Sequence, residues 1–164
     1  MKLIKITFFA LLPFLMVTFA IAAPSKPKAS SPVSDTKLFA QGTEKLFELK
    51  FVAAEKDLRE ALEANGKNAG AHNNLAFVLR KQGPDHYKES LKHYNRAIQL
   101  DKTLAEAYMY RGVLYKAMDM PELALKDHAM LMELNETKLA SELEWVITKG
   151  KEKEPAQFFG VVLK

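Results

Sequence analysis

The chain has 164 residues and a mass of 18.5 kDa, with 48% hydrophobic and 27% charged residues, so it can form one domain with a buried core but not a two-domain enzyme. Cysteine is absent, which excludes disulfides, cysteine-based zinc sites and a thiol nucleophile. The net charge of +4 falls to 22 basic against 20 acidic residues when Lys2 and Lys5 of a predicted leader are set aside, and this balance argues against a nucleic-acid partner.

The N-terminus has the pattern of a signal peptide. Lys2 and Lys5 form a basic segment, and residues 6–23 follow without a charged side chain. The run ends in the small residues Ala20-Ile21-Ala22-Ala23, which offer a signal-peptidase site. We predict residues 1–23 to be a signal peptide or, alternatively, an uncleaved signal anchor, because the run approaches the length that spans a bilayer. The body is therefore expected to be exported, either periplasmic or secreted, with membrane attachment only through an uncleaved leader.

The composition changes after residue 34. Residues 24–34 read PSKPKASSPVS, which predicts a flexible Pro/Ser-rich linker. From Asp35 onward apolar residues recur at three- and four-residue spacing, which predicts an all-α body. The predicted helices cover residues 35–49, 51–64, 69–82, 86–100, 104–118, 120–134 and 137–148.

Two of these helices begin with a possible capping box. Thr103 stands three residues before Glu106, and Asp119 stands three residues before Glu122. Pro121 falls in the first turn of its helix, where its missing N–H costs nothing.

Small side chains recur in these helices at a fixed period. Successive members are 34 or 36 residues apart, and the longer spacing places a two-residue insertion around residues 83–86. The recurring positions are Gly42, Ala76 and Gly112 in one phase, Ala54, Ser90 and Ala124 in a second, and Ala61 and Ala97 in a third. Such a period is typical of stacked helical pairs that bury a shared core only when several are joined.

The repeated segments resemble the tetratricopeptide repeat (TPR), a helix pair that crosses closely at small residues. The strongest match is the third segment, in which Tyr108, Gly112, Tyr115, Ala124 and Leu134 occupy signature positions. The resemblance implies an all-α fold, a right-handed α-solenoid of three TPR helix-turn-helix repeats. The repeats would cover about residues 35–68, 69–104 and 105–138.

A seventh predicted helix follows the third repeat. We expect it to cap the exposed end of the stack, which would complete the array at residues 35–148 and leave residues 149–164 as a C-terminal tail. Its apolar residues are Leu139, Leu143, Trp145, Val146 and Ile147. Trp145 is expected to pack in the core or cap.

The resemblance also implies a function. TPR arrays commonly bind a peptide segment of another protein in a concave groove lined by the first helix of each repeat. The chain is therefore expected to be a non-catalytic protein-interaction module, a scaffold or adaptor, without a cofactor or a small-molecule ligand. The groove positions carried over to this sequence are Asn73, Asn74, Phe77, Arg80, Lys81, Glu106, Met109, Tyr110, Val113 and Lys116.

The groove positions carry two kinds of polar group. Arg80, Lys81 and Lys116 are expected to attract an acidic side chain, and Asn73 and Asn74 to bond a peptide backbone. Matching positions in the first repeat hold Phe39, Thr43, Leu46 and Phe47, of which the three apolar residues are more often part of a core.

One TPR subclass grips its partner's C-terminal carboxylate with Lys, Asn and Arg side chains spread over three repeats. Only Asn74 matches that arrangement here. The other positions hold Phe39, Thr43, Glu106 and Tyr110, and the Glu106 carboxylate would repel the ligand. A chaperone-tail cochaperone is therefore not expected.

The C-terminal tail is apolar at its end. Residues 151–154 form a charge run that we expect to be solvated, and residues 158–163 read FFGVVL. An exposed apolar segment favours aggregation, so the tail is expected either to fold back on the array or to dock to a partner.

No catalytic or metal constellation is predicted. Asp85, His86 and Ser90 bring an acid, an imidazole and a hydroxyl together, but adjacent Asp and His at a helix start are poorly placed for a triad. The histidines lack zinc-ligand spacing. Two alternatives to an exported adaptor remain: a membrane-anchored assembly factor or accessory subunit of an envelope complex and, more remotely, an enzyme that uses the His86 region.

Overall fold

The computed structural model describes residues 32–152 and 161–162, so the predicted signal peptide and most of the predicted linker lie outside the described residues. The described part contains seven α-helices and no strand. The helices are α1 (Pro32–Phe47), α2 (Phe51–Ala64), α3 (Ala69–Gln82), α4 (Tyr87–Leu100), α5 (Ala105–Ala117), α6 (Pro121–Glu133) and α7 (Thr137–Lys149). The chain is an all-α solenoid of helix-turn-helix repeats, in which α1 packs on α2, α3 on α4 and α5 on α6.

The helix boundaries agree with the periodicity, with one clear difference. Helix α1 begins at Pro32, so its first three residues belong to the segment predicted as linker. Proline is well tolerated at a helix start because the first N–H groups have no intrahelical partner. The two-residue insertion forms a short 3₁₀ turn over Pro84–His86, and Gly83 just before it has a φ of 116°, a conformation that favours glycine.

Neither predicted capping box forms. The backbone N–H and hydroxyl of Thr103 donate to Asp101 Oδ1 at 2.9 and 2.7 Å, so Thr103 does not cap α5. Asp119 has a φ of 59° and ends helix α5 instead of starting α6. The N–H of Met120 donates to the carbonyl of Tyr115 and that of Asp119 to Lys116, a Schellman ending that fixes Asp119 in the left-handed conformation.

The recurring small residues lie where helices approach each other. The alanines Ala54, Ala61, Ala76, Ala97 and Ala124 are fully buried. A Cβ on Gly42 would lie 2.8 Å from Leu58 Cγ in the paired helix α2, and one on Gly112 would lie 2.6 Å from Leu143 Cδ2 in α7. Ser90, where the repeat usually has alanine, is also buried and donates to the Ala76 carbonyl at 2.6 Å, so its hydroxyl is satisfied.

Helix α7 packs against α5 and α6 and covers the end of the stack. Leu139, Leu143 and Val146 are buried, as the amphipathic pattern predicted, and Gly150 ends the helix with a φ of 73°. The prediction for Trp145 was wrong, because its side chain is exposed and carries the ammonium group of Lys149 5.7 Å above its ring.

A buried ion pair joins the two helices of the third repeat. Arg111 of α5 donates from Nε and Nη2 to the two carboxylate oxygens of Asp127 in α6, at 3.0 and 2.6 Å. Only 3% of the Asp127 side chain is exposed, and the guanidinium also lies over the rings of Tyr108 and Tyr115. Burial raises the pKa of Asp127, and Arg111 opposes that rise. Asp57, at the equivalent position of the first repeat, pairs with Lys45.

Candidate functional site

Helices α1, α3 and α5 lie side by side and form one face of the array, which we call the groove face. Asn73, Asn74, Phe77 and Arg80 of α3 are buried there. The α5 positions divide into two groups. Met109, Tyr110 and Val113 are buried, whereas Glu106 and Lys116 are half-buried. In the first repeat Phe39, Thr43 and Leu46 are buried, and Phe47 is exposed.

An aromatic floor supports the two cations at the centre of this face. The rings of Phe77 and Tyr110 lie 4.8 Å apart, and Phe51 meets Phe77 edge-on. The Arg80 guanidinium carbon lies 5.3 Å from the centre of the Phe77 ring and 5.1 Å from that of Tyr110. Lys81 Nζ lies 5.6 Å from the Phe77 ring centre. Ring faces attract cations, so the floor holds both charges in place while keeping Arg80 out of water.

The carboxylate of Glu152, three residues beyond the end of α7, binds both cations. Arg80 Nη2 lies 2.9 Å from Glu152 Oε1, Arg80 Nη1 lies 3.1 Å from Oε2, and Lys81 Nζ lies 2.8 Å from Oε2. The two cations outweigh burial and lower the pKa of Glu152 to about 2. The prediction of a fully solvated charge run at residues 151–154 was therefore wrong at Glu152.

Asn74 holds the backbone of Val162, near the end of the chain. Its Nδ2 donates to the Val162 carbonyl at 2.8 Å, and its Oδ1 accepts from the Val162 N–H at 2.9 Å. The same amide donates to Thr43 Oγ1 at 3.0 Å and accepts from Asn73 Nδ2 at 3.1 Å. These four bonds use the full capacity of one amide, two of them within the array and two to the backbone of Val162.

The Val162 side chain sits against Gly70 in the first turn of α3. A Cβ on Gly70 would lie 2.8 Å from Val162 Cγ1, so the valine fits only because this residue is glycine. Val161 is buried as well. Of the two behaviours predicted for the tail, the described residues 151–152 and 161–162 adopt the first and fold back on the array, whereas Phe158 and Phe159 lie outside the described residues.

A histidine pair that the sequence did not suggest joins α3 and α4. The Nδ1 atoms of His72 and His93 lie 2.8 Å apart, and His72 Nε2 lies 3.3 Å from the Gly66 carbonyl. If His72 Nε2 donates to that carbonyl, its Nδ1 accepts from His93. His93 is at the position that Asp57 and Asp127 occupy in the other repeats, so a neutral pair replaces their ion pairs. His93 also borders a surface depression of about 260 Å³.

This pair predicts a specific loss of stability in mild acid. Burial, and then His72, lower the pKa of His93 from 6.5 to about 4, and burial lowers the pKa of His72. Between pH 6.5 and 4 the unfolded chain binds protons that the folded chain does not, so stability falls as pH falls through this window. We expect a loss of about 2 kcal/mol, allowing for partial solvent exposure.

Urea unfolding at pH 7.0, 5.5 and 4.5 measures this loss. His93→Gln should remove most of the decline, and His128→Gln on α6 controls for the loss of an imidazole elsewhere. An equally steep decline in the His93→Gln protein would contradict the assignment. The pKa of Glu152 is also lowered, but its contribution to stability is lost in a separate window, as pH falls from 4.5 toward 2.

Asp85 and Ser90, an acid and a hydroxyl close to His86 in the sequence, lie in different surroundings. Ser90 is buried and bonded to Ala76, whereas Asp85 is exposed on the turn before α4. Within residues 32–152 and 161–162, no three His, Asp or Glu side chains are grouped closely enough to hold a metal ion. Among the described helices, none combines the length and hydropathy needed to cross a bilayer.

Comparison with known proteins agrees with the fold. A sequence model of the TPR repeat matches residues 86–119, a span that takes in α4 and α5. No curated protein matches the chain. Among solved structures, the chain is similar to the first TPR domain of Spaghetti (RPAP3), bound in that structure to the HSP90 peptide SRMEEVD. The TM-score is 0.67 at 19% sequence identity, over 75% of this chain and 97% of that one. The chain therefore has the fold of a tetratricopeptide-repeat domain, and its sequence matches the repeat pattern over residues 86–119.

Proposed function

We propose that this chain is an exported adaptor that binds an extended peptide segment of another protein on its groove face. One observation carries the proposal. Arg80 and Lys81 hold a carboxylate, and the side-chain amide of Asn74 holds both polar groups of one backbone residue. These are the two interactions that recognise an extended acidic peptide, since a side-chain anchor fixes register and backbone bonds add affinity without demanding a sequence.

The similar TPR domain of Spaghetti is bound to a peptide, which supports a protein or peptide partner. The ligand proposed here differs from the one bound by TPR domains that grip a C-terminal carboxylate with side chains from three repeats. In this chain the anion site is one pair of adjacent cations on α3, and Glu106 on α5 carries a negative charge. The proposed ligand therefore offers an internal Asp or Glu side chain and does not need a free C-terminus.

Site-specific photocrosslinking in the cells that make the protein tests the proposal. A photoreactive residue at Glu106, half-buried on the groove face, is compared with one at Lys92, exposed on α4. We expect a discrete protein to be captured from Glu106 and not from Lys92, and capture to fall at least tenfold in a Lys81→Glu protein. Equal capture from both sites, or capture unaffected by Lys81→Glu, would contradict groove binding.

Export is proposed from the leader alone. The intact mass of the natural protein should lack residues 1–22 or 1–23. A retained leader would instead favour the membrane-anchored assembly factor.

A further inference from the structure

The C-terminal tail offers the groove face the same two chemical groups that the proposed peptide ligand would offer. Glu152 supplies the carboxylate at Arg80 and Lys81, and Val162 supplies the backbone N–H and C=O at Asn74. We propose that Glu152 and the Val161–Val162 segment of the tail are a built-in ligand of this groove, and that an external peptide binds only by displacing them. The regulatory part of this proposal rests on the proposed function of the groove.

The two described contacts of the tail follow α3 in the antiparallel order. Glu152 is bound at the C-terminal end of the helix, by Arg80 and Lys81, and Val162 at its N-terminal end, by Gly70 and Asn74. The stretch of α3 from Gly70 to Arg80 is about 15 Å long. Ten residues of chain reach up to about 35 Å, so one tail connects both contacts within its own molecule.

The burial of Arg80 explains why this site should be filled. Only 7% of the Arg80 side chain is exposed, and among the described residues Glu152 provides the carboxylate that it binds. A buried cation without a counter-ion is strongly unfavourable, so a ligand that covers Arg80 in place of the tail needs an anion at the same position. An external ligand must therefore carry an acidic side chain for Arg80 and Lys81.

The second contact restricts the ligand further. Gly70 leaves space for a β-branched side chain next to Phe39, and Asn74 requires an extended residue that offers both N–H and C=O. Proline cannot take this position, because it has no N–H to donate. The displacing peptide is thus an acidic segment followed at some distance by an extended valine-like residue.

Competition between the tail and a free peptide tests the proposal. The probe is a fluorescein-labelled peptide with the sequence of residues 150–164, measured by fluorescence anisotropy against full-length chains. The release variant carries Glu152→Lys and Val162→Asp. The matched control is Glu144→Lys, the same charge change at an exposed position of α7. Circular dichroism melting checks that all chains are folded.

We expect the release variant to bind the probe about tenfold more tightly than the wild type, and Glu144→Lys to match the wild type. A tethered segment has an effective concentration on the order of 1 mM, which gives this factor for an intrinsic Kd of about 0.1 mM. Adding Lys81→Glu to the release variant should abolish binding. A probe with lysine at the Glu152 position should bind that triple variant better than the original probe does.

Two outcomes would overturn the inference. Equal affinity of wild type and release variant would show that the tail does not occupy the groove, and it would leave the proposed peptide-binding function standing. No binding by either chain would show that the tail sequence is not a ligand of this face, and the function would then be judged by photocrosslinking alone.

A carbodiimide crosslink measures occupancy directly, because the reagent joins amines to carboxylates in contact. Lys81 and Glu152 should crosslink in the wild type, and Glu152→Gln should remove the product. A mixture of isotopically light and heavy chains shows whether the link forms within one molecule. A product found mainly between chains would overturn the intramolecular assignment in favour of exchange between two copies.

Discussion

A Gly112→Ala protein is expected to lose about 2 kcal/mol of unfolding free energy, although alanine favours a helix more than glycine by about 1 kcal/mol. The new Cβ would lie 2.6 and 2.8 Å from the two terminal carbons of Leu143 and 3.3 Å from its Cγ. Leu143 is fully buried under α5, so its side chain has no free space into which it can rotate.

A substitution of Leu143, the residue that Gly112 contacts, tests whether this contact causes the loss of stability. Leu143→Ala alone should cost about 3 kcal/mol, because it removes a fully buried leucine and leaves a cavity. In the double variant the alanine at 112 fills part of that cavity, and we expect the total cost to fall at least 1 kcal/mol below the sum of the single costs. Urea unfolding of the four proteins gives the coupling energy. Additive costs would show that α7 does not pack on Gly112.

The second large loss of stability is expected for Asp127→Ala. It should lower the free energy of unfolding by about 3 kcal/mol, because it leaves the Arg111 guanidinium partly buried without its carboxylate. Both side chains of the pair are shielded from solvent, with 18% of the Arg111 side chain and 3% of the Asp127 side chain exposed. Asp127→Asn should cost less, because an amide oxygen still accepts one of the two bonds.

Glu60→Ala provides the comparison for this measurement. Glu60 pairs with Lys56 at 4.0 Å in an exposed pair on α2, and its loss should cost less than about 0.5 kcal/mol. Equal costs for Asp127→Ala and Glu60→Ala in chemical denaturation would contradict a structural role for the buried pair.

The sequence predicted the fold well, because the features that define the repeats are local. Apolar spacing gave six of the helices to within two residues, and the period of small residues located both the helix crossings and the insertion before α4. The exceptions are also local in origin. Asp119 looked like an N-cap residue, but it takes the left-handed position of a Schellman ending, which depends on hydrogen bonds to the preceding helix.

The candidate site was predicted only in part. The α3 residues Asn74, Arg80 and Lys81 could be placed from the repeat pattern, but their partners Glu152 and Val162 lie 71 to 88 positions away in a tail without periodicity. The His72–His93 pair was missed for the same reason, since no spacing rule relates two side chains on successive helices. An apolar sequence end after a charge run was the single signal that pointed to the tail.

The order in which these contacts can form follows from the chain itself. Each helix pair closes over a short loop, whereas the Arg80 to Glu152 and Asn74 to Val162 contacts are 72 and 88 residues apart in the sequence. Short-range pairs form early and long-range ones late, and during synthesis the tail leaves the ribosome after the helix that it contacts. The first two repeats therefore present Arg80, Lys81 and Asn74 to their surroundings before Glu152 and Val162 have been made.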